Sequence, residues 1–320
     1  MGAFYQSEIV KLIPSGNASG VLVPNVQSVS TAFQVQRVDT MRLGRFAPTP
    51  YRQANQDPLI NVNLDFIPTG SDIFSTLGLL GSNSAVEMIS SGTQRVNDMR
   101  IQIRELVGGG GAVGTFNLKS GVLTNFAFSA NVGQTPRTTI SLEFLDIAMD
   151  ATTAVVPPNI DDGYPTLRPQ DIDISLPSGI FGIGSVYPQS FTMTLPLNRT
   201  PIFKLGSRKP VSRGLTSPIM ASFQVQATID TFASTSATSG FSMFNLTCGA
   251  PLDGDIVVNV KRPTCTGESS QSLVKYTLRK PYLDNVNYSN SVGGYTSVDM
   301  QFTIPVTPDN IATESNLVIS

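Results

Sequence analysis

The sequence predicts an all-β protein with a minor helix, arranged as two tandem β-sandwich or barrel domains. Three observations predict it. First, the chain repeats itself about 160 residues apart, which must be recognised before any other reading. From Phe116 to Gly133, six of eighteen positions are identical to their counterparts from Tyr276 to Gly293. Ile140, Leu142 and Phe144 then fall opposite Met300, Phe302 and Ile304, and upstream Arg37, Leu43, Gly44 and Pro48 meet Arg199, Leu205, Gly206 and Pro210. Second, apolar residues alternate with polar ones at the strand period of two. Third, turn residues separate these runs, many short strands with turn signals, twice over.

The elements follow in order. Val29, Thr31, Phe33 and Val35 alternate with Ser30, Ala32, Gln34 and Gln36, the pattern of a half-buried strand. Phe191, Met193, Leu195 and Leu197 repeat it, with Pro196 inside the run hinting at an edge or a bulge. Further strands are predicted over Ile60–Phe66, Met99–Glu105, Val122–Ala130 and Thr138–Ile147. Their counterparts are Ser222–Ile229, Ile256–Lys261, Tyr282–Tyr288 and Ser297–Val306. Gly133 and Gly293 fall in turns, where glycine takes a positive φ at little cost. Ser71-Asp72 can cap a short helix through Ile73, Leu77 and Leu80, weakened by Gly78, while Thr231 to Phe244 reads as a short helix or ordered loop.

These signals divide the chain into an N-terminal arm (1–20), a first β domain (21–150), a Pro/Asp-rich linker (151–180), a second β domain (181–307) and a C-terminal tail (308–320). The arm and tail are expected to order against neighbouring subunits.

Composition points to a subunit of something larger. Charged residues make up 14% of the 320-residue chain, against roughly 25% in soluble proteins at large. Ser, Thr, Asn, Gln and Gly fill the difference, and so little charge favours association. A formal net charge of −2 offers nucleic acid no general attraction. No apolar run is long enough for a membrane-spanning helix, and the N-terminus lacks the pattern of a secretion signal. Folding in a cytoplasm without membrane contact is the expectation.

Few constellations carry chemistry. The chain has no His, which removes the commonest general acid/base, His metal sites and His-activated nucleophiles. The run Gly108–Gly111 is followed by Ala112-Val113 rather than Lys-Ser/Thr, so it reads as a hairpin tip and not a phosphate loop. Asp161, Asp162, Asp171 and Asp173 match no EF-hand spacing and read as a solvated linker. Cys248 and Cys265 lack the further ligands of a zinc site and read as free thiols. Arg37, Arg42, Arg45 and Arg52, with Arg199, Lys204, Arg208, Lys209 and Arg213, cluster at equivalent places in both repeats. They read as a solvated loop, as salt bridges to an adjacent subunit, or as an inter-ring contact that uses the guanidinium fork on carboxylates. No catalytic, cofactor-binding or metal-ligating residue is nominated, no cofactor is expected, and the chain is not expected to be an enzyme.

Two stretches carry a resemblance. Val29–Arg37 running into Leu43-Gly44-Arg45, with a long loop and then Leu59–Phe66, resembles the tail-tube proteins of tailed bacteriophages. So does the ending Leu123-Thr124-Asn125-Phe126-Ala127-Phe128-Ser129 with Val132-Gly133 and a final strand. The duplication is similar to the members that fuse two tube domains in one chain. The resemblance implies a structural subunit of a virion tail, assembled in the host cytoplasm. Its homo-oligomeric rings, trimers with pseudo-six-fold symmetry or hexamers, would stack around a lumen that DNA crosses only transiently. Sheath, terminator or baseplate proteins would be further partners. A distal-tail or baseplate-hub ring protein and a surface adhesin or carbohydrate-binding module are the alternatives, the latter disfavoured by the absence of Trp.

Overall fold

The computed structural model describes residues 5–14, 21–23, 25–33, 35, 37–38, 44, 53–54, 57–68, 77, 96–105, 112–150, 167–177, 183–232, 251–262, 272–289, 296–306 and 316–319. These are almost wholly strand, with one 3-10 turn at Pro169–Asp171 and no α-helix among them. No helix among the described residues is long and apolar enough to cross a membrane.

The first repeat begins with β1 (Tyr5–Pro14), β2 (Val21–Val23), β3 (Val26–Phe33), β4 (Arg37–Val38), β5 (Gln53–Ala54) and β6 (Ile60–Phe66). It continues with β7 (Val96–Glu105), β8 (Ala112–Lys119), β9 (Val122–Asn131), β10 (Arg137–Phe144) and β11 (Asp146–Asp150). The second repeat begins with β12 (Ile172–Ser175), β13 (Ile183–Pro196), β14 (Arg199–Ile202), β15 (Ser212–Leu215) and β16 (Ile219–Phe232). It ends with β17 (Ile256–Lys261), β18 (Ser272–Leu278), β19 (Tyr282–Ser289), β20 (Thr296–Val306) and β21 (Leu317–Ile319).

One eight-stranded sheet runs through both repeats in the order β19-β20-β16-β13-β9-β10-β6-β3. Read from β3, the first repeat lays down β3, β6, β10 and β9, and the second lays down β13, β16, β20 and β19. Corresponding strands therefore recur in the same order, head to tail, and every pairing is antiparallel. Smaller sheets repeat likewise: β11-β8-β7-β1-β2 in the first copy and β21-β18-β17-β12 in the second, with β2 the addition.

The two copies agree even in their irregularities. The β9–β10 ladder slips one residue at Thr124, and the β19–β20 ladder slips at Asp284, its counterpart. Gln27 is the extra residue between β3 and β6, and Gln189, at the equivalent place, is one of the extra residues between β13 and β16, whose other two shifts lie at Ile183–Val186. Each of these glutamines turns its side-chain amide back, Gln27 to the Asn25 carbonyl at 3.1 Å and Gln189 to the Tyr187 carbonyl at 3.2 Å. A bulge bends its strand and pins the register, so shared bulges record a shared fold more strictly than shared residue types do. Gly44 and Gly206 have the same φ of +84°, which explains the repeated Leu-Gly.

Burial follows the period of two. β6 reads buried-exposed along Ile60, Asn61, Val62, Asn63 and Leu64, and β20 buries Val298, Met300, Phe302 and Ile304. The apolar face of the large sheet is covered by the small sheets, giving a β-sandwich with one continuous core. Rings run across it in contact, Phe302 with Phe223, Phe223 with Phe191, and Phe191 with Phe128. Tyr276, on β18 of the second repeat, stacks on Phe128 of the first at 5.5 Å.

Several expectations change. Pro196 is neither in an edge strand nor at a bulge. β13 is central, and Pro196 ends it beyond the last pair with β16, Thr194 with Ser222, where no amide is needed. Thr138–Ile147 is not one strand. At Leu145, whose N–H is held by the Lys119 carbonyl at 3.1 Å, the chain leaves the large sheet as β10 and joins the small one as β11. Residues 5–14 pair with β7, 172–175 with β17 and 317–319 with β18, so stretches read as arm, linker and tail contribute strands. Of the helix expected from Ser71, only Leu77 is described, and it is buried; the remainder, most of Thr231–Phe244, Gly108–Gly111 and Gly293 lie outside the described residues.

Candidate assembly surface

The eight-stranded sheet presents three surfaces: the internal junction between the repeats, two free edges, and an open face turned away from the core.

The junction is the β9–β13 ladder, running from Asn131 with Ser190 to Asn125 with Pro196. It is prolonged at both ends by Val132 N–H to the Gln189 carbonyl and Leu197 N–H to the Thr124 carbonyl, each 2.8 Å. On the core side Phe128 faces Met193 and Phe126 faces Leu195, all buried.

Basic side chains of the β14–β15 hairpin lock the second repeat onto the first. The Arg213 guanidinium, almost wholly buried, donates to the Glu143 carbonyl at 2.9 Å, the Ser120 carbonyl at 2.6 Å and the Glu143 carboxylate at 3.4 Å. Arg199 donates to the Leu123 carbonyl at 3.2 Å and the Arg213 carbonyl at 3.3 Å. Burial lowers the pKa of both, Glu143 partly offsetting this at Arg213, while Arg213's own charge adds to the lowering at Arg199. Both stay charged, because an arginine starts so high. At the rim Arg208 pairs with Asp57 at 3.1 Å and Lys209 with Asp146 at 3.0 Å. The hydrogen bond from Lys209 is the main reason that Asp146 titrates below the usual carboxylate range. Four members of the basic cluster thus bridge repeats within one chain, an arrangement the sequence reading did not weigh. Arg42, Arg45 and Arg52 lie outside the described residues, and Arg37 begins β4.

Among the described residues the outermost strands of this sheet are β3 and β19, counterparts of β13 and β9 respectively. Residues buried at the junction have exposed equivalents here. Leu195 is 1% exposed while its counterpart Phe33 is 61% exposed. Phe128 is 1% exposed and its counterpart Tyr288 47%.

The open face carries Ser30, Asn61, Asn63, Ser129, Thr139 and Ser141 from the first repeat, and Thr192, Gln224, Gln226, Gln301, Asn285 and Asn287 from the second. Cross-strand bonds such as Ser141 hydroxyl to Asn63 carbonyl oxygen at 2.8 Å tie it together. Among the described residues its charges include Asp65, paired with Arg137 at 3.1 Å, Glu143, which accepts from Arg213, and Asp299.

Nothing in the described residues competes with these surfaces as a chemical site. Asp171 accepts from Arg168 at 3.0 and 3.1 Å, and Asp173 pairs with Lys261 at 2.6 Å, so the described half of the Asp group is engaged in ion pairs. Asp161, Asp162, Cys248 and Cys265 lie outside the described residues. No cluster of three metal-ligating side chains occurs among the described residues. A small open depression at Ala130, Val132, Pro169, Ile174 and Phe191 has no charged group in its lining.

No protein-family model matches this chain, and no curated protein matches it either.

Proposed function

We propose that this protein is a structural subunit of a bacteriophage tail tube, forming stacked rings around a lumen for DNA, most simply three chains per ring with pseudo-six-fold symmetry. The observation that carries the reading is the continuous sheet itself. Two repeats add strands head to tail in one sheet, whose open face is built mostly from uncharged Ser, Thr, Asn and Gln. Curled into a barrel, such a face lines a channel, and closure removes the sheet edges that would otherwise aggregate. With few cations on it, DNA passes without the phosphate contacts that dominate non-specific binding. The subunit does no catalysis, resides in the virion tail after assembly in the host cytoplasm, and takes other tail proteins such as sheath, terminator or baseplate as partners.

The test is electron microscopy of the purified protein. Hollow tubes of stacked rings, with three chains per ring, are expected. Single rings that never stack point instead to a distal-tail or baseplate-hub protein. Persistent monomers across salt and concentration would overturn ring formation altogether.

A further inference from the structure

We infer that the β19 edge of one chain pairs with the β3 edge of a second copy, in the register that β9 and β13 already use inside the chain. The inference rests on the ring reading above and makes it specific at the level of paired residues.

Three observations carry it. The first is equivalence. β19 repeats β9 and β3 repeats β13, in strand order, in pairing and in bulge position, so the two outer edges are the two halves of a junction that the molecule contains once in assembled form. The second is exposure. Phe33 and Tyr288 are large and exposed where their counterparts Leu195 and Phe128 are buried, and Val29 and Val286 are only half-buried where Phe191 and Phe126 are fully so. Phe116 is also half-buried, whereas its counterpart Tyr276 is buried against β9 of the other repeat. A neighbour's β19 laid beside β3 supplies what Phe116 lacks.

The third is the absence of edge protection. Free edges in monomeric proteins are commonly blunted by Lys, Pro or inward charges. β3 (VQSVSTAF) contains none of these, and β19 is free of charge from Asn285 to Ser289. Clear of the bulges at Gln27 and Asp284, the stretches Ser28–Phe33 and Asn285–Ser289 carry neither charge nor Pro and suit pairing. Because the contact joins two different edges, it is heterologous, and it closes a ring where the rotation from chain to chain divides a full turn.

The register follows residue by residue. Within the chain Phe128 faces Met193, Ala127 faces Thr194 and Ser129 faces Thr192. Between chains the counterparts are Tyr288 with Thr31, Asn287 with Ala32 and Ser289 with Ser30. In an antiparallel ladder adjacent pairs alternate between wide and close classes, so one of the first two pairs is of the close kind.

Disulfide trapping in the full chain tests this. The double variants Thr31→Cys/Tyr288→Cys and Ala32→Cys/Asn287→Cys are oxidised under assembly conditions and run without reductant, beside the four single variants. The native Cys248 and Cys265 remain in all of them, so the single variants set the background. An out-of-register control, Ala32→Cys/Ser289→Cys, places the thiols on diagonal neighbours at ~7–8 Å instead of ~5 Å. At least one in-register pair is expected to give roughly tenfold more inter-chain product than that control, ending in a closed band. Rings or tubes by microscopy with no product from either pair, or more product from the control, overturn the edge pairing and leave the ring reading standing. No assembly of the unmodified protein and no product overturn both.

Discussion

The internal junction and the two outer edges are built from corresponding residues and differ in what they touch. At the junction Phe128 and Leu195 are buried; at the edges Tyr288 is 47% and Phe33 61% exposed. The same fold copy therefore holds one partner covalently tethered and leaves the other side bare. The difference teaches that burial here belongs to the pairing of copies and not to the copy alone. The repeats differ accordingly: Tyr288, whose hydroxyl tolerates water, stands at the edge where the junction has Phe128, and Thr31 where it has Met193.

The largest effect expected from breaking the comparison is at the junction core. Phe128→Ala should cost about 3–5 kcal/mol in urea unfolding, because a fully buried ring leaves a cavity against Tyr276 and Phe191. Tyr288→Ala, the same position at the edge, should change the stability of the unassembled chain by no more than about 0.5 kcal/mol and still reduce ring formation in sedimentation. Equal costs at both positions would dissolve the distinction between junction and edge.

Arg213→Ala comes next. It removes a buried guanidinium and strands the Ser120 and Glu143 carbonyls, a loss of about 3 kcal/mol by denaturant titration. Arg213→Lys should recover little of it, since an ammonium cannot span those acceptors as the fork does. Gly206→Ala should cost about 1 kcal/mol in the same assay, through the positive φ alone, because a methyl there meets nothing within 4 Å.

The smallest effect sharpens the rim. Lys209 and Asp146 are both substantially exposed, so Lys209→Ala should cost under about 1 kcal/mol. Its pH dependence has a definite sign. The folded-state pKa of Asp146 is depressed, so the contribution is present above the ordinary carboxylate range and is lost as pH falls through that range and below. Stability measured from neutral to strongly acid pH should show the wild-type advantage over the variant shrinking on acidification.

Much of the fold was legible in the chain. The alternation in Ile60–Phe66 and Ile256–Lys261 marks β6 and β17 to the residue, because each face of a strand meets one environment along its whole length. The Thr138–Ile147 run failed for the complementary reason. Its alternation holds only to Phe144; the adjacent Leu145 breaks the phase, and there the bond to Lys119 turns the chain into a second sheet. The basic cluster was visible as composition but not as contact. Its acceptors are mostly backbone carbonyls of the other repeat, which carry no side-chain signature.

By itself the sequence determined the strands of the large sheet together with β7 and β17, their alternation, and the duplication, all consequences of local period and residue type. Only the tertiary structure decided that β9 meets β13, so that two repeats share one sheet with β3 and β19 as the outermost of its described strands. Strand order is set by which edges come together across long stretches of chain, and backbone hydrogen bonds are alike for every residue, so no local pattern encodes it.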